Sequence, residues 1–170
     1  MIDTRPHQTA PVLSRVIAGK RPPGSEDGHF TDDYLLYLLA RASQLASGEF
    51  HAELESLGIP PQMWRVLALL SGCEGRTIGD IAKRALTKQP TMTKLIGRLE
   101  KLGYVTRTPG IEDRRQVVVS ITPAGETLVS SLIDRARAHE ANLLDKYTPA
   151  ETDALKLMLA QLIDKLDEPD

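Results

Sequence analysis

Apolar side chains recur at helical spacing along most of this chain, and the rhythm changes only once. Tyr34, Leu35, Leu38, Ala42, Leu45 and Ala46 share one helix face. Thr31 stands ahead of them as an N-cap, with Asp32 and Asp33 in the first turn, where negative charge suits a helix N-terminus. Gly48 and Gly58 punctuate a second helical stretch around residues 51–57. Pro60-Pro61 open a third, which carries Met63, Trp64, Val66, Leu67 and Leu70 and ends at Ser71-Gly72. A short helix over about 78–86 follows, with Thr77 as N-cap and Asp80 completing a capping box. A longer one runs from Gln89 to about Leu102, where Met92, Leu95, Ile96, Leu99 and Leu102 form one apolar stripe and Gly103 stops it.

The period then becomes two. Residues 104–108 and 116–122 read as strands rich in β-branched side chains, with Val117, Val119 and Ile121 on one face. The charged segment 109–115 between them is a hairpin loop. Thr122-Pro123 opens a long helix to about Lys146, and Thr148-Pro149-Ala150-Glu151 is a capping box that starts a last one. The fold class is therefore mainly α with a small β-hairpin. Residues 1–29, with four prolines and three glycines, read as an N-terminal arm, and 30–170 as a single domain.

Composition narrows the function. The one cysteine, Cys73, allows no intramolecular disulfide and fits a reducing compartment. Apolar runs are too short to span a bilayer, and the N-terminus lacks the apolar core of a signal peptide, so the expectation is a cytoplasmic protein with no membrane partner. The net charge of −2 conceals an asymmetry. Residues 76–115 hold ten Lys/Arg against four Asp/Glu, a net +6, while the remainder carries −8. A basic centre in an acidic scaffold fits a DNA-reading module, although charge clustering on a solvated face gives the same count.

The order helix, turn, helix, strand, charged loop, strand gives that patch a use. In a helix-turn-helix the second helix enters the major groove, ~12 Å wide, so it needs an apolar back and a polar front. The segment from Gln89 has both. Its front offers Thr91, Thr93, Lys94, Arg98 and Lys101, its lead-in Thr87, Lys88 and Gln89, and Pro90 fits its first turn. Gly97, about 1 kcal/mol worse than alanine inside a helix, is expected where another backbone comes close. Arg114 and Arg115 at the hairpin tip suit a narrow minor groove. Thr77, Arg107 and Asp113 complete the residues assigned to DNA.

Residues 77–125 resemble the MarR family of bacterial transcription regulators. The resemblance rests on Leu99-Glu100, Gly103-Tyr104-Val105, Asp113-Arg114-Arg115 and Ile121-Thr122-Pro123-Ala124-Gly125, and extends more loosely over about 31–166. Lys94 departs from it, because arginine is commoner there; the charge stays but the bidentate fork is lost. The resemblance implies a winged helix-turn-helix lobe at about 60–122 and dimerisation helices at about 31–47 and 123–167. It implies a homodimer on double-stranded DNA, with half-sites about 10 bp apart on a pseudo-palindrome, and a repressor released by a small anionic or aromatic effector.

The first half is similar to members that control aromatic-acid catabolism, some of which sense acyl-CoA thioesters. Candidate effector-binding residues are Tyr37, Arg41, His51, Trp64 and Arg65. The ordinary reading, core filler, has the better claim on Tyr37 and Trp64, and His51 is most often an ordinary surface or core histidine; a half-buried Arg41 serves at least as well as one arm of an intersubunit ion pair. An enzyme is not expected: the sequence has no glycine-rich phosphate loop and no nucleophile elbow. No cofactor is expected, and the four histidines make no metal spacing with Cys73. The acidic neighbour Glu74 disfavours a redox-sensing thiolate at Cys73. The alternative function is a winged-helix architectural or interaction protein without ligand control.

Overall fold

The computed structural model describes residues 29–110 and 115–167. Helix α1 (Phe30–Asp33) is one turn, and Tyr34 adopts an extended conformation after it. The rings of Phe30 and Tyr34 stack across that turn at 4.5 Å. Thr31 thus lies inside α1 rather than capping a longer helix; His29 occupies the cap, its N–H donating to Asp32. Helix α2 (Leu35–Ser56) then runs without a break through Gly48. The two helices expected on either side of that glycine are one, because a single interior glycine costs only about 1 kcal/mol.

Helix α3 (Pro61–Leu70) starts on Pro60-Pro61 and ends at Ser71. Next come strand β1 (Arg76–Thr77), α4 (Ile78–Arg84), α5 (Gln89–Lys101), β2 (Val105–Pro109), β3 (Val117–Ile121), α6 (Pro123–Leu144) and α7 (Pro149–Asp167). The two expected strands belong to a three-stranded antiparallel sheet of order β1-β3-β2. Arg76 pairs with Val119, which also faces Arg107 across the hairpin.

The chain divides into two units. Of the described residues, one unit holds 29–46 together with 141–167, and the other holds those within Ser47–Glu140. Among the described residues, every buried apolar side chain lies in the second unit. Leu54, Val66, Leu67, Leu70, Ile81, Met92, Ile96, Leu99, Val105, Val119, Val129 and Leu132 form a continuous core. In the first unit Leu36, Leu45, Leu157, Met158, Ile163 and Leu166 are all more than half exposed. Apolar exposure on that scale marks an interaction surface.

Two junctions fix the geometry of the second unit. Helix α5 ends in a Schellman motif: Gly103, at φ +77°, donates to Glu100, and Tyr104 donates to Leu99. Thr122 then joins the start of α6 to the same turn. Its hydroxyl donates to the Gly103 carbonyl at 2.7 Å, its N–H donates to the Tyr104 carbonyl at 3.0 Å, and its oxygen accepts the Gly125 N–H. Gly125 packs so closely here that a Cβ would stand 2.2 Å from the Tyr104 oxygen. The Thr-x-x-Gly spacing thus encodes a helix cap followed by a contact no other residue fits. The box at Thr148 forms as expected, with the Thr148 N–H and hydroxyl both donating to Glu151.

Candidate nucleic-acid interface

Helix α4 begins at Thr77, whose hydroxyl accepts the Asp80 N–H at 3.1 Å. Only half of the expected capping box forms. The Asp80 carboxylate lies between Arg76 and Arg84, at 3.1 and 2.9 Å, instead of turning back to the cap. Burial raises the Asp80 pKa, but hydrogen bonds and charge from Arg84 and Arg76 outweigh it and hold the carboxyl below its ordinary value. Arg76 also donates to the Leu69 carbonyl at 2.9 Å, tying the end of α3 to this cluster.

The turn between α4 and α5 is tight. Leu86 adopts φ +53°, alone in this among the described non-glycine residues, and is 89% exposed. The Thr87 N–H donates to Ala82 and its hydroxyl to Ala85. Lys88 is the N-cap of α5 and Pro90 lies in its first turn. The helix is divided as a groove-reading helix requires. Met92, Ile96 and Leu99 are buried, while Gln89, Pro90, Thr91, Thr93, Lys94 and Arg98 are exposed with Lys88. The Thr93 hydroxyl donates to the Gln89 carbonyl, leaving its lone pairs outward. Nothing lies within 4 Å of a Cβ built at Gly97, so the close backbone expected there is not supplied by this chain.

The hairpin β2–β3 closes through the Gly110 N–H on the Gln116 carbonyl at 2.8 Å. Asp113 and Arg114 lie outside the described residues. Arg115 is exposed, and it lies at the base of the loop beside the closing Gly110–Gln116 bond rather than at the tip expected from sequence. Together with Thr77, Ile78, Gly79, Gln89, Gln116 and Val117 it lines an open concavity of roughly 370 Å³. Three residues chosen from sequence for DNA contact, Thr77, Gln89 and Arg115, therefore meet in one place. Arg107 does not join them: it is engaged by Glu100, Nε to Oε2 at 2.9 Å, with Nη2 on the same oxygen. The sequence reading missed this partner, since Glu100 and Arg107 are joined only by the reversal at Gly103.

The candidate effector residues fall in separate units. Tyr37 and Arg41 lie in the first, and Arg41 is exposed rather than half-buried. His51, Trp64 and Arg65 lie in the second. Arg65 reaches the Ala85 carbonyl at 3.4 Å, at the C-terminal end of α4. His51 and Trp64 are half-buried. The Trp64 ring meets Phe50 edge-on at 5.4 Å, and Phe50 stacks on His139 at 5.8 Å. Neither Phe50 nor His139 was identified from sequence, because only the antiparallel packing of distant helices joins them. Among the described residues no His/Cys/Asp/Glu group is placed to hold a metal, and no helix is long and apolar enough to cross a membrane.

A sequence profile of the MarR family matches residues 57–116, from the turn after α2 to the residue before β3. A MarR family transcriptional regulator from Silicibacter pomeroyi DSS-3, SPO1453, superimposes with a TM-score of 0.73 at 38% identity, covering 82% of this chain and all of that one. The chain belongs to the MarR family. It is a winged-helix transcriptional regulator, and the hairpin β2–β3 is its wing. Another solved structure, NadR in complex with 4-hydroxyphenylacetate, has a TM-score of 0.71 at 25% identity, covering 84% of this chain and 97% of NadR. The homoprotocatechuate degradative operon repressor of Escherichia coli is 24% identical over 131 residues, 77% of this chain and 88% of the repressor.

Proposed function

We propose that this MarR-family chain is a homodimeric repressor that binds a pseudo-palindromic operator and is released by a small aromatic or anionic effector. The observation that carries the reading is the meeting of Gln89, at the start of the half-polar helix α5, with Arg115 of the wing and Thr77 of α4 in one open concavity. A helix in the major groove and an arginine-bearing hairpin beside it contact one stretch of duplex. The DNA-contacting set is Thr77, Thr87, Lys88, Gln89, Pro90, Thr91, Thr93, Lys94 and Arg98 with the wing residues Asp113, Arg114 and Arg115.

Residues 31–47 and 123–167 are assigned to dimerisation. Leu36, Leu45, Leu157, Ile163 and Leu166 leave an apolar surface that one copy of the chain does not cover, and a second copy presents the same surface to it. The aromatic effector class is supported by the ligand of NadR and by the operon of the Escherichia coli repressor. Tyr37, Arg41, His51, Trp64 and Arg65 remain its candidate contacts, with Phe50 and His139 added beside Trp64. Acyl-CoA thioesters are the second class to test.

The test has three parts. Sedimentation equilibrium is expected to give a dimer. Selection from a random duplex pool is expected to enrich a two-fold symmetric site. Titration of the bound duplex with 4-hydroxyphenylacetate, other aromatic acids and acyl-CoA thioesters is expected to release it with at least one of them. A strict monomer, or a pool that enriches nothing, refutes the reading. Enrichment without release by any of these compounds favours the winged helix without ligand control.

A further inference from the structure

Glu100 is the single acidic residue of α5 and sits in its last turn. Negative charge there opposes the helix dipole, and on a basic lobe it also opposes approach of a phosphodiester backbone. It is compensated by one partner. Arg107 of β2 places two guanidinium nitrogens on its carboxylate, and this contact holds the Glu100 carboxyl below the usual glutamate range. Arg107 is itself fixed in the sheet, in register with the buried Val119. The inner end of the sheet is held by the turn at Gly103, by the pairing of β1 with β3 and by the buried Val105 and Val119. The ion pair adds a direct side-chain tie between α5 and β2, two residues further along the strand than Val105, and so bears on the angle between helix and hairpin.

We propose that Glu100 is a positioning residue for the DNA-reading surface, acting through Arg107 to fix the wing β2–β3 against α5. The proposal rests on the DNA-binding reading above, and it takes Arg107 out of the phosphate-contacting set expected from sequence. It also reverses the sign that charge alone predicts: removing a carboxylate from this surface strengthens DNA binding by simple electrostatics, whereas losing the strut weakens it.

The experiment uses the full chain and the duplex it enriches from a random pool, with affinity measured across a salt series and thermal unfolding in parallel. Glu100→Ala and Arg107→Ala are each expected to weaken binding about two- to fivefold, on the scale of an exposed pair. The salt slope stays unchanged, because no phosphate contact is lost. The double alanine variant is expected to bind no worse than either single one. The exchanged pair Glu100→Arg with Arg107→Glu is expected to recover most of the loss, which a general structural defect does not allow.

Stronger or unchanged binding by Glu100→Ala overturns the proposal. So does a salt slope lowered by about one in Arg107→Ala alone, which would make Arg107 a phosphate contact. A wild-type chain that enriches no duplex removes the DNA-reading premise itself. The two failures are thus told apart by the wild-type measurement.

Discussion

Gly125→Ala and Gly97→Ala are the same chemical change in the same unit, and the packing around them predicts opposite signs. At Gly97 a Cβ meets nothing within 4 Å, so alanine gains its helix propensity, about 1 kcal/mol. At Gly125 a Cβ stands 2.2 Å from the Tyr104 oxygen and 2.8 Å from Ile121 Cγ1. Ile121 can rotate, but the oxygen belongs to backbone and accepts the Thr122 N–H at 3.0 Å. Moving it strains or breaks that bond. Overpacking costs about 1–3 kcal/mol and a lost hydrogen bond about 1 more, against the same propensity gain of about 1. The net is a destabilisation of about 1–3 kcal/mol, which in a chain of this size lowers Tm by roughly 2–12 °C. Gly97→Ala should raise it by roughly 2–4 °C. Thermal unfolding followed by circular dichroism, at one fixed protein concentration because the Tm of any self-associating chain depends on it, measures both. A Gly125→Ala chain melting within a degree of wild type refutes the reasoning. Operator affinity adds a crossed readout: Gly97 lies on the exposed side of α5, so its alanine is expected to weaken binding while stabilising the fold.

Leu86→Gly is expected to stabilise the chain by about 0.5–1 kcal/mol, since it relieves a left-handed backbone, loses no packing and is partly offset by a more flexible unfolded state; a lower denaturation midpoint in urea would contradict this. Asp80, with its pKa depressed by Arg84 and Arg76 against the effect of burial, contributes stability that is present above the unfolded pKa and lost as pH falls through the folded one. Asp80→Asn should therefore be less stable than wild type at pH 7, with the gap closing below about pH 4; a gap independent of pH would remove the ion cluster as its cause. Lys94→Ala is expected to weaken binding to all duplexes alike and to lower the salt slope by about one, while Arg115→Ala weakens binding without changing the sedimentation of the chain. An unaltered slope, or undiminished affinity, counts against the respective contact.

Much of this lobe could be read from the sequence because its signals are local. The stripe from Met92 to Leu99, the stop at Gly103, the β-branched run ending at Ile121 and the box at Thr148 each depend on residues within one or two turns. What escaped depends on tertiary register. Strand β1 is two residues long, too short for any period, and exists because β3 offers Val118 and Val119 an edge to pair. Gly48 reads as a stop, yet α2 passes through it on its way to the buried Phe50 and Leu54. Arg107 looks like any exposed cation in a basic stretch until the turn at Gly103 brings it to Glu100. The grouping of Trp64 with Phe50 and His139 was not legible either, because the three rings come from separate helices.

The scarcity of aromatic rings gives the contact between Trp64 and Phe50 a practical consequence. With one indole in 170 residues, emission excited at the red edge of the indole band, where the four tyrosines do not absorb, originates from a single place, inside the Ser47–Glu140 unit. Far-ultraviolet ellipticity, by contrast, sums over helices in both units. Recording the two signals on one sample during denaturation asks whether the halves come apart in one cooperative step or in sequence: superimposed curves mean the first, an earlier loss in either channel the second. No dye and no engineered reporter is needed, because the molecule already carries one.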